Sequence, residues 1–148
     1  MNTIIPIFMF SMFFIFSVIG IVYTVKNNDK LDKLVTNKKL IKQYRNLKIK
    51  DSETLKMSFW SGNLKIYENI LVIENGSYFH HINLEKNKKK QPMTISLQQV
   101  NIEKNTLILQ GIKHRVLGNR HIKIRIRSNI ENEIIDINNL IITLLPKV

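Results

Sequence analysis

Residues 4–25 carry no charged side chain, and that run constrains the chain more than anything after it. At about 1.5 Å per residue a helix over this run spans roughly 33 Å, enough for a hydrocarbon core of about 30 Å. Pro6 falls in the first turn, where its missing N–H costs little. Ser11, Ser17 and Gly20 are tolerable in such a helix, and Tyr23 sits where an interfacial aromatic is common. The alternative is a cleaved signal peptide, which needs a basic leader, a shorter apolar core and a small-residue cleavage site. Met1-Asn2-Thr3 has no Lys or Arg, and no A-x-A pattern follows. The run therefore reads as a retained single-pass transmembrane anchor, residues 1–25.

Charge orients the anchor. All 23 Lys and Arg and all 11 acids follow Val25, so the remaining chain carries the whole formal charge of +12. Lys26, Lys30, Lys33, Lys38, Lys39, Lys42 and Arg45 crowd the C-terminal flank of the run, and the N-terminal flank has no cation. The positive-inside rule then places the N-terminus outside the cell membrane and the following domain in the cytoplasm. The absence of cysteine excludes disulfides and thiolate chemistry and fits a reducing compartment. Asn75-Gly76-Ser77 matches the glycosylation pattern, but this topology hides it, and it reads better as a turn.

Residues 26–52 read as a basic juxtamembrane helix or linker. Leu31, Leu34, Ile41, Tyr44 and Leu47 fall close to one helical stripe, and the cations fill much of the rest. Such a segment lies flat on a membrane surface or continues the anchor as a stalk. In the plainer reading its charges only set topology.

From residue 53 to 148 the pattern alternates. Leu55, Met57 and Phe59 precede a turn expected at Gly62-Asn63, and residues 64–67 and 70–74 read as strands. Asn75-Gly76 is a type I′ hairpin signal, with a return strand over 77–84. A lysine-rich loop follows, then short strands at 94–97, 100–103 and 106–110, with a turn at Lys104-Asn105. In the hairpin 112–127, Ile122, Ile124 and Ile126 alternate with His121, Lys123, Arg125 and Arg127. A three-residue loop, Leu117-Gly118-Asn119, pairs Val116 with Arg120 and puts Lys113, Arg115, His121, Lys123 and Arg125 on one face. A two-residue loop would mix the faces. Ser128 and Glu131 suggest a capping box, and Ile130, Ile134, Ile137, Ile141 and Leu144 form the apolar face of a closing helix stopped by Pro146.

The expected fold is mainly β: six or seven antiparallel strands, a partly open barrel, capped by a C-terminal α-helix behind the transmembrane helix. The runs "LKIYENILVIENGSYF", "ISLQQVNIEKNTLILQG" and "HIKIRI" with the final helix resemble the bacterial pleckstrin-homology-like domains over about residues 55–145. That resemblance implies a binding or assembly module tethered to a membrane and does not imply catalysis. Phosphoinositide-binding members of that family carry Lys and Arg in the first hairpin loop; Glu68-Asn69 and Asn75-Gly76 have none.

The candidate site is the hairpin face Lys113, Arg115, His121, Lys123 and Arg125, facing an anionic partner or lipid. Like charges directly opposite each other destabilise a strand pair, so something compensates. Solvated strands also carry Lys simply to block edge-to-edge pairing. His80 and His81 point to opposite faces of a strand and are not expected to share a metal. His114 is expected to be a hydrogen-bonded core histidine and Trp60 a core residue. Ser52, Ser58, Ser61 and Ser77 lack a G-x-S-x-G setting, and there is no phosphate-binding glycine loop. No enzyme, cofactor or metal site is expected. The leading function is recognition of a protein partner, or a homo-oligomer, at the cytoplasmic face; the alternative is sensing anionic lipid through the hairpin. Nucleic acid is the weakest partner, since few exposed aromatics are available to stack bases.

Overall fold

The computed structural model describes residues 11–12, 14–19, 22, 33–53, 58–75, 78–85, 93–115 and 118–146. The chain divides into two compact units, Met1–Asn37 and Lys38–Val148. In the first unit residues 11–12, 14–19, 22 and 33–36 are helical. No helix among the described residues is long and apolar enough to cross a membrane. Much of the expected anchor, together with Lys26 and Lys30, lies outside the described residues.

The second unit contains seven strands and a helix: β1 (Leu40–Asp51), β2 (Trp60–Tyr67), β3 (Ile70–Asn75), β4 (Tyr78–Asn83), β5 (Thr94–Glu103), β6 (Thr106–Arg115), β7 (Gly118–Arg127) and α1 (Glu133–Leu144). Each strand pairs with the next, and β7 returns to β1, so the barrel is closed rather than partly open. One junction departs from the antiparallel expectation. β4 and β5 are parallel, with Ile82 opposite Ile95.

Of the expected helical stretch at 26–52, residues 33–36 are helical, while β1 corrects the helical reading from Leu40 onward. Tyr44 and Leu47 both point into the core, three residues apart. In an unbroken strand that spacing would put them on opposite faces. Here Tyr44 pairs with Leu64 and Leu47 with Gly62, so Arg45 and Asn46 together oppose one residue of β2. Asn46 takes a left-handed φ of 58°, and its N–H donates to Asn63 Oδ1 at 3.3 Å. This β-bulge supplies the three-residue step that imitates a helical stripe. Past it, Ile49 and Asp51 alternate inward as in an ordinary strand.

Gly62-Asn63 is likewise not a turn but the middle of β2. A Cβ on Gly62 would stand 2.5 Å from the Trp60 ring and 2.8 Å from Ile49 Cδ1, so glycine serves close packing there. Trp60 is half-buried against the core, as expected. The two strands read at 94–97 and 100–103 are one strand, β5, broken by a register shift between Leu97 and Gln99.

The barrel interior is filled by aliphatic side chains. Leu47, Ile49, Leu64, Ile66, Leu71 and Ile73 are fully buried in one cluster with Leu107, Leu109, Ile122, Ile124 and Ile126. α1 adds Ile134, Ile137 and Ile141, the face legible in the sequence, each fully buried. Each such burial contributes about 1.5–3 kcal/mol, so the helix is integral to the core. Its start differs from the capping box. Ser128 bonds Glu133 and accepts from the Ile130 N–H at 2.9 Å, and the helix begins after Asn132 at φ 61°. Ile130 lies outside the helix and is exposed. Asp136, exposed on the helix, accepts from Tyr44 Oη at 2.6 Å and Lys42 Nζ at 2.7 Å, tying β1 to α1.

Candidate anion-binding face

The β6–β7 register decides what the hairpin presents. Arg115 pairs with Gly118, Lys113 with Arg120 and Ile112 with His121. Two residues therefore separate the paired positions, not three, and the faces are mixed. Lys113 shares its strand face with Leu109 and the core isoleucines of β7, while His121, Lys123 and Arg125 share theirs with Ile112, Gln110 and Ile108. The expected five-residue basic face does not exist as one surface.

Lys113 is buried on the inner face, 6% exposed, and its Nζ donates to Glu53 Oε2 at 2.6 Å. Arg115 bonds the other carboxylate oxygen of Glu53. Burial pushes the Glu53 carboxyl up, but the hydrogen bonds and charges of Lys113 and Arg115 outweigh it and hold the group below its ordinary value. Nearby in the interior, His80 Nε2 lies 3.2 Å from Asp51 Oδ2, both side chains fully buried. His114 is buried and hydrogen-bonded, to Ser96 Oγ at 2.8 Å and Asn119 Oδ1 at 3.0 Å, but on the strand face of Ile112 rather than the inner one. Among the described residues no group of His, Asp or Glu could hold a metal ion.

The outer cations gather differently. β1 runs beside β7, with Lys48 opposite Arg127 and Lys50 opposite Arg125; between them Ile49 faces Ile126 in the core. Directly opposed side chains on neighbouring strands have Cβ atoms about 4.5–5.5 Å apart, and like charges there are destabilising. Lys123 extends the patch, its N–H donating to Ser52 Oγ at 3.0 Å. Arg127 is held on two sides: its guanidinium lies 4.5 Å from the Phe59 ring centroid, and Nε donates to Thr106 Oγ1 at 2.9 Å. Among the described residues no carboxylate pairs with Lys48, Lys123, Arg125 or Arg127. The expected site thus keeps Lys123 and Arg125, with His121 exposed beside them, loses Lys113 and Arg115 to Glu53, and gains Lys48, Lys50 and Arg127. Of the juxtamembrane cations, Lys38 bonds Asn69, Lys42 pairs with Asp136, and Lys33, Lys39 and Arg45 are exposed.

A signal for the missed residues was present. Lys48-Ile49-Lys50 repeats the cation–Ile–cation alternation of Lys123-Ile124-Arg125, as expected of two strands that line one barrel wall. The tetrapeptide Asn-Leu-Lys-Ile itself occurs twice, at 46–49 and 63–66. In β2 its lysine, Lys65, meets Glu74 at 2.8 Å; in β1 its lysine meets Arg127. No family model and no curated protein matches the chain by sequence.

Proposed function

We propose that this chain is a membrane-tethered, non-enzymatic module whose barrel binds the anionic surface of the leaflet beside it through the outer face of β1 and β7. One observation carries the reading: Lys48 opposes Arg127 and Lys50 opposes Arg125, with Lys123 adjoining them. A strand pair that sets cation against cation gains from an anionic surface what it loses in isolation. Each Lys or Arg near an anionic leaflet adds about 1 kcal/mol, so five supply at most about 5 kcal/mol, weakened by salt. Contacts of that size suffice for a tethered domain, because the tether raises its effective concentration at the membrane. The packed interior supports an outer rather than an internal site. The uncharged run at 4–25 supports the tether, and the lysines after it support a cytoplasmic location. The strand-then-helix order supports a likeness to the pleckstrin-homology-like domains, from whose partly open, antiparallel barrel the closed barrel and the parallel β4–β5 junction depart.

The test uses the full chain in nanodiscs of zwitterionic phosphatidylcholine or of phosphatidylcholine with phosphatidylglycerol. Lysine acylation read by mass spectrometry should show Lys48 and Lys123 protected in the anionic discs only. About 0.5 M salt, where the Debye length is only a few ångströms, should remove the protection. Equal labelling in both discs defeats the proposal.

A second reading, a protein partner or a second copy of the chain, is favoured by Ile130, Ile135 and Ile142, which are 62%, 48% and 52% exposed around α1. Cross-linking of the full chain in native membranes should then capture a stoichiometric complex through this helix. A monomer with no cross-linked species removes this reading.

A further inference from the structure

Within the basic face, a groove of about 500 Å³ is lined by Glu103, Lys104, Thr106, Ile108, Arg125 and Arg127. That is within the size range of small-molecule sites, about 300–1,000 Å³. We infer that this groove is a discrete subsite for a phosphate ester whose alcohol portion carries a hydroxyl or ammonium group. The inference rests on the anionic-surface reading above and adds chemical selectivity to it.

Arg127 carries the argument. Its Nε donates to Thr106 Oγ1 and its guanidinium carbon lies 4.5 Å from the Phe59 ring centroid, so two contacts hold the side chain before any ligand arrives. Its Nη groups have no partner among the described residues. A planar fork held this way suits the paired oxygens of a phosphate, and little side-chain entropy remains to be lost on binding. Arg125 lies two residues along the same strand face, about 7 Å away along the backbone, near enough for both guanidinium groups to reach one phosphoryl group. Lys104 adds a third cation at the rim. It and Asn105 take φ values of 47° and 57° in the two-residue turn between the paired residues Glu103 and Thr106. Such a turn favours Gly, Asn or Asp, and a lysine there is held at a conformational cost.

The remaining walls narrow the ligand. Ile108, 2% exposed, is an apolar element of the lining. Glu103 contributes a carboxylate to the same groove. An extended polyanion would meet that carboxylate unfavourably, whereas a hydroxyl or ammonium group beside the phosphate would donate to it. Flat electrostatic adhesion needs neither the fixed fork nor the acid. Phosphorylated lipid headgroups and soluble phosphate esters share this chemistry, and the experiment separates them.

The full chain in uncharged maltoside micelles is titrated by calorimetry with glycerol 3-phosphate, and in parallel with phosphatidylglycerol or oleate incorporated into the micelles. Oleate supplies negative charge without phosphate. Binding of phosphatidylglycerol in preference to oleate is expected and assigns the site to a lipid headgroup; tight binding of glycerol 3-phosphate as well assigns it to the ester regardless of source. Arg127→Lys retains the charge but removes the fork, and Thr106→Val removes the oxygen that orients it. Each should reduce the preference for phosphate over carboxylate by about tenfold or more, since bidentate charge-assisted bonds are roughly twice as strong as simple ones. Unchanged preference in both variants, or equal binding of phosphatidylglycerol and oleate by the wild type, overturns the subsite and leaves the surface reading standing. Failure of the wild type to bind any anionic probe overturns both.

Discussion

The β6–β7 hairpin carries two kinds of cation that look alike in the sequence. Lys113 and Arg115 converge on Glu53, and Lys113 is almost wholly buried with it. Lys123, Arg125 and Arg127 look outward; Arg127 lies opposite Lys48 and Arg125 opposite Lys50 of β1, and Lys123 adjoins Ser52. The first group is a structural network, satisfied and internal. In the second, Lys48 and Arg127 face each other across the β1–β7 pair with no carboxylate bonded to either among the described residues. The role of a basic residue here is set by the neighbour that barrel closure supplies, not by its own strand. Lys65 and Lys48 make the same point, since identical local sequences meet Glu74 in one place and Arg127 in the other.

The two groups of cations should differ most in their dependence on Glu53. Replacing it with alanine removes the carboxylate but leaves Lys113 buried, and loss of one partner of a buried pair costs about 3–5 kcal/mol. Urea unfolding of the full chain in maltoside micelles, followed by Trp60 fluorescence, should show a destabilisation of that order. A loss under about 1 kcal/mol would mean that Lys113 is no more structural than the outer cations.

Lys48→Glu should do the reverse. It places a carboxylate opposite Arg127, and a favourable cross-strand pair adds about 0.2–1 kcal/mol to stability. The same change removes two units of charge from the outer patch and, on the proposed reading, should weaken its contact with anionic lipid by about 2 kcal/mol. The lysine-acylation assay reads the second effect through Lys123. If stability falls and protection of Lys123 persists, the outer face is not the binding surface.

Acid separates the two regions by a different route. The Glu53 carboxyl titrates below the ordinary 4.5 in the folded chain, so its stabilising contribution is present above that value and is lost as pH falls through the folded pKa. Denaturation below about pH 4.5 should therefore be shallower in Glu53→Gln than in the wild type. The outer cations remain charged throughout that range. Identical acid limbs in the two proteins would remove Glu53 from the account. The smallest effect is expected at Asp136→Asn. This breaks an exposed ion pair with Lys42, the two side chains being 48% and 51% exposed, and exposed pairs contribute about 0–1 kcal/mol, less in salt. Thermal unfolding at low and high salt should bring mutant and wild type together as salt rises.

The two hairpins show how far local pattern reaches. At 75–78 the expected turn was Asn75-Gly76, and the register instead pairs Asn75 with Tyr78, leaving Gly76-Ser77 between them. Sliding a two-residue loop by one position moves the pairing by an even step, so every residue keeps its face. At 115–118 the loop is shorter by one than expected, which moves the pairing by an odd step and transfers Lys113 and Arg115 to the opposite face from His121, Lys123 and Arg125. A strand's period of two makes face assignment robust to the first error and intolerant of the second.

Alternation and turn residues were enough to mark β3, β4 and β7, the two parts of β6 read as a strand at 106–110 and a hairpin arm from 112, the mainly β class and the three isoleucines by which α1 seals the core, because these depend on spacing within one element. They were also enough to expose the cations Lys123 and Arg125. β1 was hidden because a bulge at Asn46 gives its core residues a helical step, and a bulge is a property of two paired strands. The meeting of Lys48 and Lys50 with Arg127 and Arg125 joins residues some 75 positions apart and exists only because β7 closes on β1. Periodicity within an element was written in the chain; the pairing of its first strand with its last, and with it the face where cation meets cation, was decided by closure of the barrel.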